Sequence, residues 1–280
     1  MDKPKAAILT GFGINSELET AYALEKAGAS TSLVHFSELE KNPSLLENFQ
    51  IFALSGGWSF ADQIQSGRIL ANKFRFKLLK EFKKFCDEKK AVIGICNGFQ
   101  VLTQLGALPG WENWEKKEIS LLTNTSSRFE DRWIRLRTES SVCKFSAGLE
   151  RCFVLPIRHG EGRLVVKNSS TLELLEEKRQ IVFRYAAEDG FKAYDYPDNP
   201  NGSVDSIAGI CNEEGNILGL MPHPECHIRE FQNPFWTNSK AAENKNFFDS
   251  LFDKLSEEKK FIYNNSQPLF KSIVEYAKRF

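Results

Sequence analysis

The decapeptide Ile93-Gly94-Ile95-Cys96-Asn97-Gly98-Phe99-Gln100-Val101-Leu102 holds the residue type best suited to nucleophilic chemistry in this chain. The apolar run Ala91 to Ile95 has the length and branching of a buried strand. It breaks at Cys96-Asn97-Gly98, and apolar residues then return at helical spacing from Phe99 to Leu105. A cysteine at such a strand-turn-helix corner meets the free N–H groups and the dipole of the following helix. That setting favours thiolate over thiol and holds the sulfur out on a sharp turn. The plainer alternative is a buried core cysteine, the usual state of a free cysteine.

A nucleophile of this kind needs a base, and the chain has four histidines: His35, His159, His223 and His227. His223 stands in Met221-Pro222-His223-Pro224-Glu225. A residue before proline is pushed out of the helical region, which predicts an extended His223. In extended backbone, residues i and i+2 share a face, so Glu225 is expected beside the ring. It would fix one ring nitrogen and leave the other facing a nucleophile, the logic of a catalytic triad. Alone, His-Pro-Glu also reads as a surface turn. The combination with a cysteine elbow about 125 residues upstream is the specific signal.

These residues need a frame. Ala6 to Thr10, Ser30 to His35, Ile51 to Leu54 and Ala91 to Ile95 read as strands. A capping box at Ser16-Glu17-Leu18-Glu19 predicts a helix ending at Gly28. Leu70, Phe74, Leu78 and Phe82 predict a second helix from about 69 to 89. Strand-helix alternation favours a mostly parallel central sheet with helices on both faces. Sites in such sheets gather at the carboxyl ends of strands, where Gly57 and Cys96 both fall. From about Ile119 the texture changes to short β-like runs around Leu121, Trp133 to Leu136 and Phe153 to Ile157. Ile207 to Cys211 and Ile217 to Met221 read as a hairpin, so antiparallel additions are expected in the second half. A helix is expected from Lys240 to Leu255. A last apolar stripe, Phe270, Ile273, Val274 and Ala277, suits either a docking helix or, more ordinarily, packing on its own domain.

Taken together, these motifs resemble the class I glutamine amidotransferases, and among them the glutaminase subunits of phosphoribosylformylglycinamidine synthase. The residues that carry the resemblance are Gly94 to Gln100 with Leu108-Pro109-Gly110, the loop Ser55-Gly56-Gly57-Trp58-Ser59-Phe60-Ala61-Asp62, His159-Gly160-Glu161-Gly162-Arg163, Asn199 to Ser203, and Gly219 to Glu225. They span about residues 5 to 250. Ser55, Trp58, Phe60, Ala61 and Arg158 depart from the usual pattern. The resemblance implies a flavodoxin-like α/β domain over residues 1–257, followed by a C-terminal helical extension over 258–280.

It further implies glutamine hydrolysis through Cys96, His223 and Glu225, with the backbone N–H groups of Gly57 and Asn97 as the oxyanion hole. Gln100, His159 and Glu161 are candidate contacts for L-glutamine. Gln100 equally suits a packed helix position, and the His159–Arg163 stretch equally suits a tight surface turn. The implied partners are a synthetase subunit and a small third subunit. ATP and magnesium belong to the synthetase, and no cofactor or metal is expected on this chain. No phosphate-binding loop of the Gly-x-x-x-x-Gly-Lys-Ser/Thr type occurs in it. The alternatives are a glutaminase serving another synthetase, such as those for GMP, CTP, anthranilate or carbamoyl phosphate, and a non-catalytic or redox-sensing protein on the same scaffold. Asn97, Phe99 and the His-Gly-Glu-Gly-Arg stretch argue against the first. The pairing of His223 with Glu225 argues against the second.

Composition sets outer bounds. The 37 basic and 37 acidic side chains cancel, leaving no overall field to recruit nucleic acid or an anionic membrane. No apolar run approaches the ~20 residues needed to span a bilayer, and no signal peptide is evident. Six cysteines without Cys-x-x-Cys spacing indicate neither a zinc site nor a disulfide framework. A reducing cytoplasm is the expected setting.

Overall fold

Short apolar strands and amphipathic helices alternate along the first hundred residues and build half of a mixed sheet. The computed structural model describes residues 3–114, 116–234, 236–237 and 265–280. In order come β1 (Lys5–Thr10), α1 (Glu17–Ala27), β2 (Ser30–His35), α2 (Phe36–Lys41), β3 (Ile51–Leu54), α3 (Arg68–Lys77), α4 (Leu79–Asp87), β4 (Ala91–Ile95) and α5 (Asn97–Leu105). The second half adds β5 (Ile119–Leu122), β6 (Glu130–Thr138), β7 (Cys152–His159), β8 (Arg163–Val166), α6 (Ser169–Glu177), β9 (Ile181–Ala186), β10 (Ile207–Cys211), β11 (Ile217–Leu220) and α7 (Gln267–Ala277).

Nine strands join in the order β2-β1-β3-β4-β11-β10-β9-β6-β7, while β5 and β8 form a separate ribbon. The pairs from β2 through β11 are parallel, and those from β11 onward are antiparallel. β3 and β4 are buried along their whole length, as expected of parallel strands covered on both faces. Phe52 meets the rings of Phe74, Phe82 and Phe85 from α3 and α4. α5 packs beside α3 on this face, while α1 and α7 pack together over the other.

One consequence of the strand order decides where chemistry can occur. Leu54 pairs with Gly94, and Ile95 pairs with Leu220. The carboxyl ends of β3, β4 and β11 therefore lie side by side. The chain segments that leave them carry Gly57, Cys96 and His223.

Three local expectations are corrected. Residues 69–89 are not one helix: Leu78 leaves helical geometry at φ −132° and ψ −2° and buries its side chain completely. The break redirects α4 so that Phe82 and Phe85 reach Phe52. Ser16 makes no side-chain capping bond to α1; its hydroxyl is buried without a hydrogen-bond partner among the described residues, and the residue lines the cavity described below. Glu225 does not lie in extended backbone beside His223 but in a single 3₁₀ turn, Pro224–Cys226. The helix expected from Lys240 to Leu255 and the division at 257/258 fall outside the described residues. The apolar stripe of α7 is buried on its own domain, where the Tyr276 hydroxyl donates to the Lys89 carbonyl at 2.7 Å.

α5 approaches β3 so closely that only glycine fits at position 98. A methyl group there would collide with the Leu54 carbonyl oxygen. Gly98→Ala is predicted to destabilise the fold by about 1–3 kcal/mol, the usual penalty of overpacking. Equilibrium denaturant unfolding measures it, and unchanged stability would show that α5 sits less tightly on β3.

Candidate active site

Cys96 is the first element of the site, and its position is set by the frame. Its N–H donates to the Leu220 carbonyl at 2.8 Å, extending the β4–β11 ladder by one bond. Its carbonyl then accepts the Gln100 N–H at 3.1 Å, the first bond of α5. Between these two commitments the residue is forced to φ 49° and ψ −105°. Positive φ is uncommon for a residue with a side chain and persists only where the surroundings impose it. The sulfur thus sits at the mouth of α5, whose first N–H groups lack partners inside the helix.

His223 follows β11 by a few residues, and its N–H donates to the Pro156 carbonyl of β7 at 2.9 Å. Its Nδ1 lies 2.6 Å from Glu225 Oε1, with both side chains buried. Nε2 has no hydrogen-bond partner among the described residues. Burial works against a charged ring here, but the Glu225 carboxylate and the nearby Cys96 sulfur outweigh it. The imidazole is pushed up to about 10. The charged ring therefore holds a proton ready for donation, directed by its carboxylate.

Cys96 and His223 open onto one cavity of about 280 Å³, lined also by Gly57, Trp58, Asn15, Ser16, Glu19, Arg158 and Cys226. Gly57 adopts φ 152° and packs so tightly on Gly13, Ile14 and Asn15 that any side chain would collide with them. Its loop is pinned to the segment after β1, with Trp58 N–H donating to the Gly13 carbonyl at 2.8 Å. Asn97 is the first residue of α5. The cavity lining does not include Gln100, His159 or Glu161; these stand behind it. Gln100 Nε2 donates to the Glu161 carbonyl at 2.6 Å, and Glu161 Oε2 accepts the Ser66 N–H at 3.1 Å.

His159 closes β7 and is buried. Asn124 Nδ2 donates to the His159 and Arg128 carbonyls, which leaves Asn124 Oδ1 as an acceptor for His159 Nδ1 at 3.2 Å and for Gly162 N–H at 3.1 Å. The proton is thereby assigned to Nδ1. Burial, with the charge of His223 second, pulls this ring down to about 3 and keeps it neutral. Asn201 anchors the same loop by donating to the Gly162 carbonyl at 2.9 Å and to the Tyr185 hydroxyl at 3.0 Å.

Among the described residues, His223, Glu225 and Cys226 place donor atoms within 4.8 Å of one another, the one grouping able to approach a metal ion. Nδ1 is already bonded to Glu225, and the Arg158 guanidinium donates to Cys226 Sγ at 3.7 Å. A fixed cation on one donor and an ion pair on the other two suit proton chemistry better than metal binding.

Sequence reasoning gave no site role to Asn15, Ser16 and Glu19 on the cavity wall, or to Asn124 behind it, and read Asn201 only as part of the Asn199–Ser203 motif. Ser66, which braces the loop after Gly57, was also missed, and Asp62 was read only as the end of that loop's motif. The polar residues after β1 looked like an ordinary helix start, and the asparagines looked like turn residues.

Comparison with known proteins gives this geometry a context. Residues 3–276 match a family described as the CobB/CobQ-like glutamine amidotransferase domain. The phosphoribosylformylglycinamidine synthase subunit PurQ of Methanococcus maripaludis is 41% identical over 276 residues, covering 98% of this chain and 97% of that protein. The chain belongs to the PurQ family of glutamine amidotransferases. The PurQ subunit of Dehalococcoides mccartyi is 42% identical over 237 residues, covering 84% of this chain and 90% of its own length. A solved structure described as PurLQS from Thermotoga maritima superposes with a TM-score of 0.68 at 27% identity, covering 98% of this chain and 99% of that one. The PurQ match extends well past residue 250, where the sequence motifs alone ran out.

Glu225→Gln removes the chief support of the His223 charge. It is predicted to move the alkaline limb of kcat/KM for glutamine hydrolysis downward, since a neighbouring carboxylate of this kind shifts a pKa by roughly 1–3 units. A pH–rate profile tests this. A limb that stays in place would mean that Glu225 does not set the proton affinity of the ring.

Proposed function

We propose that this chain is the glutaminase subunit of a phosphoribosylformylglycinamidine synthase. It hydrolyses L-glutamine and passes the ammonia to a synthetase subunit, which makes formylglycinamidine ribonucleotide from formylglycinamide ribonucleotide with ATP. The observation that carries the reading is the opening of Cys96, His223 and Gly57 onto one cavity in a chain 41% identical to a PurQ subunit over nearly its whole length. The structure described as PurLQS supports a synthetase and a small third subunit as partners.

The chemistry balances on this chain's own groups. The Cys96 sulfur attacks the side-chain amide carbon, and the carbonyl oxygen becomes an oxyanion. The N–H groups of Gly57 and Asn97 receive that charge; a single donor of this type is worth about 2.7–4 kcal/mol in well-studied cases. The C–N bond breaks as protonated His223 gives its proton to the departing nitrogen. Ammonia leaves, and a glutamyl thioester remains on Cys96. Neutral His223 then takes a proton from water, whose oxygen attacks the thioester. Glutamate departs and the resting pair returns. Glu225 holds the Nδ1 proton throughout and stabilises the imidazolium.

Gln100, His159 and Glu161 shape the wall behind Cys96 toward the bound substrate. The neutral state of His159 keeps a second positive charge away from His223. No helix among the described residues is long and apolar enough to cross a membrane, and the free thiol of Cys96 fits a reducing cytoplasm.

Cys96→Ala is predicted to abolish product formation from glutamine in the assembled synthase while leaving synthesis from added ammonium intact. Both are measured on the same preparation. Glutamine-dependent turnover that survives the substitution would overturn the nucleophile assignment. Loss of both activities would point to a failure of assembly instead.

A further inference from the structure

The loop after β3 has an unusual backbone. Phe60, Ala61 and Asp62 adopt φ values of 56°, 54° and 51°, and Ile64 adopts 73°. Left-handed geometry is uncommon for a single residue bearing a side chain, and three in succession do not hold themselves. Backbone bonds fix the entry to this loop through Gly13 and Phe12. They do not explain what holds its far side at a set distance from Cys96.

The Asn97 side chain lies in that gap and is almost wholly buried at 1% exposure. Its Oδ1 accepts the Ser59 N–H at 3.2 Å. Its Nδ2 donates to Asp62 Oδ1 at 3.2 Å and to Gln100 Oε1 at 2.8 Å. The other end of the Gln100 amide reaches the Glu161 carbonyl, and Glu161 Oε2 returns to Ser66 N–H at the end of the strained loop. A closed ring of hydrogen bonds thus ties three segments together: the loop from Gly57 to Ser66, the first turn of α5, and the loop after His159.

We propose that the side chain of Asn97 is a positioning group for the oxyanion hole. It fixes the Gly57 loop against the Cys96 elbow through Ser59 and Asp62, separately from any donation by its own backbone N–H. The proposal rests on the glutaminase reading above. An amide suits the task because one end must accept an N–H while the other donates to a carboxylate and to an amide oxygen. Asp62 is the matching half of the strap. Its carboxyl lies near Glu161 and is pushed up to about 6, chiefly by burial, while bonds from Ser66, Gly67 and Asn97 oppose the rise. Gln100 has both ends of its amide committed, so it acts here as the link from Asn97 to the loop after His159.

The test uses the assembled synthase. Asn97→Ala keeps the backbone N–H and removes the strap. The expected result is a fall of about 10²-fold in kcat for glutamine hydrolysis, the scale of a misplaced oxyanion donor. KM should change by less than about threefold, and ammonium-dependent synthesis should be preserved. Hydrogen–deuterium exchange should rise across residues 57–66 more than in the rest of the chain. Asn97→Asp sets a carboxylate against Asp62 and should be similarly impaired.

Unchanged exchange over 57–66 in Asn97→Ala would overturn the proposal whatever the activity, as would an undiminished kcat in that variant. The amidotransferase reading fails on a different observation, the absence of glutamate release by the unsubstituted complex.

Discussion

The structure turns on a backbone constraint at Cys96. The residue finishes one hydrogen-bonded ladder with its N–H and starts a helix with its carbonyl, and no ordinary conformation does both. β4 cannot yield, because it lies between β3 and β11 and is buried along its whole length. α5 cannot yield either, because Gly98 already rests against the Leu54 carbonyl. The strain is therefore carried by the frame, and the sulfur is held at the one point where three strand ends meet. Gly57 and His223 need no separate targeting device, since strand order alone brings their segments there.

Electrostatics then separates two buried histidines that share this region. His223 is raised because a carboxylate and a sulfur outweigh the effect of burial; His159 is lowered by burial first and by the charge of His223 second. Opposite displacement of two like groups is a common way for a protein to assign acid–base roles. On the proposed chemistry, one ring takes up and releases protons beside Cys96. The other stands neutral behind the cavity, held by Asn124, which also accepts the Gly162 N–H.

Much of this was legible in the sequence because it rests on short-range chemistry. Ala91 to Leu105 announces its own strand-turn-helix, and the change from alternating strands and helices to β-rich texture near Ile119 follows the change from parallel to antiparallel pairing. Contacts set by tertiary packing were not legible. Ser16 reads as a helix cap but makes no capping bond; it lines the cavity with its hydroxyl buried. Leu78 interrupts a sound helical pattern, because two shorter helices cover Phe52 better than one long one. The His223–Glu225 pair was anticipated from extended geometry, yet a 3₁₀ turn delivers the same contact. Asn124 gave no signal at all, and Asp62 only a place in the Gly57 loop motif, since a single polar residue in a loop does not reveal which distant amide it will meet.

The most direct measurement of the central claim is active-site labelling of the assembled protein with a chloroketone analogue of glutamine, read by peptide mass spectrometry. A nucleophilic sulfur sharing its cavity with His223 predicts a single adduct, on Cys96, that free glutamine suppresses and that forms far more slowly in His223→Ala. An adduct that forms first on Cys226, or a Cys96 adduct indifferent to both glutamine and His223, would contradict the account.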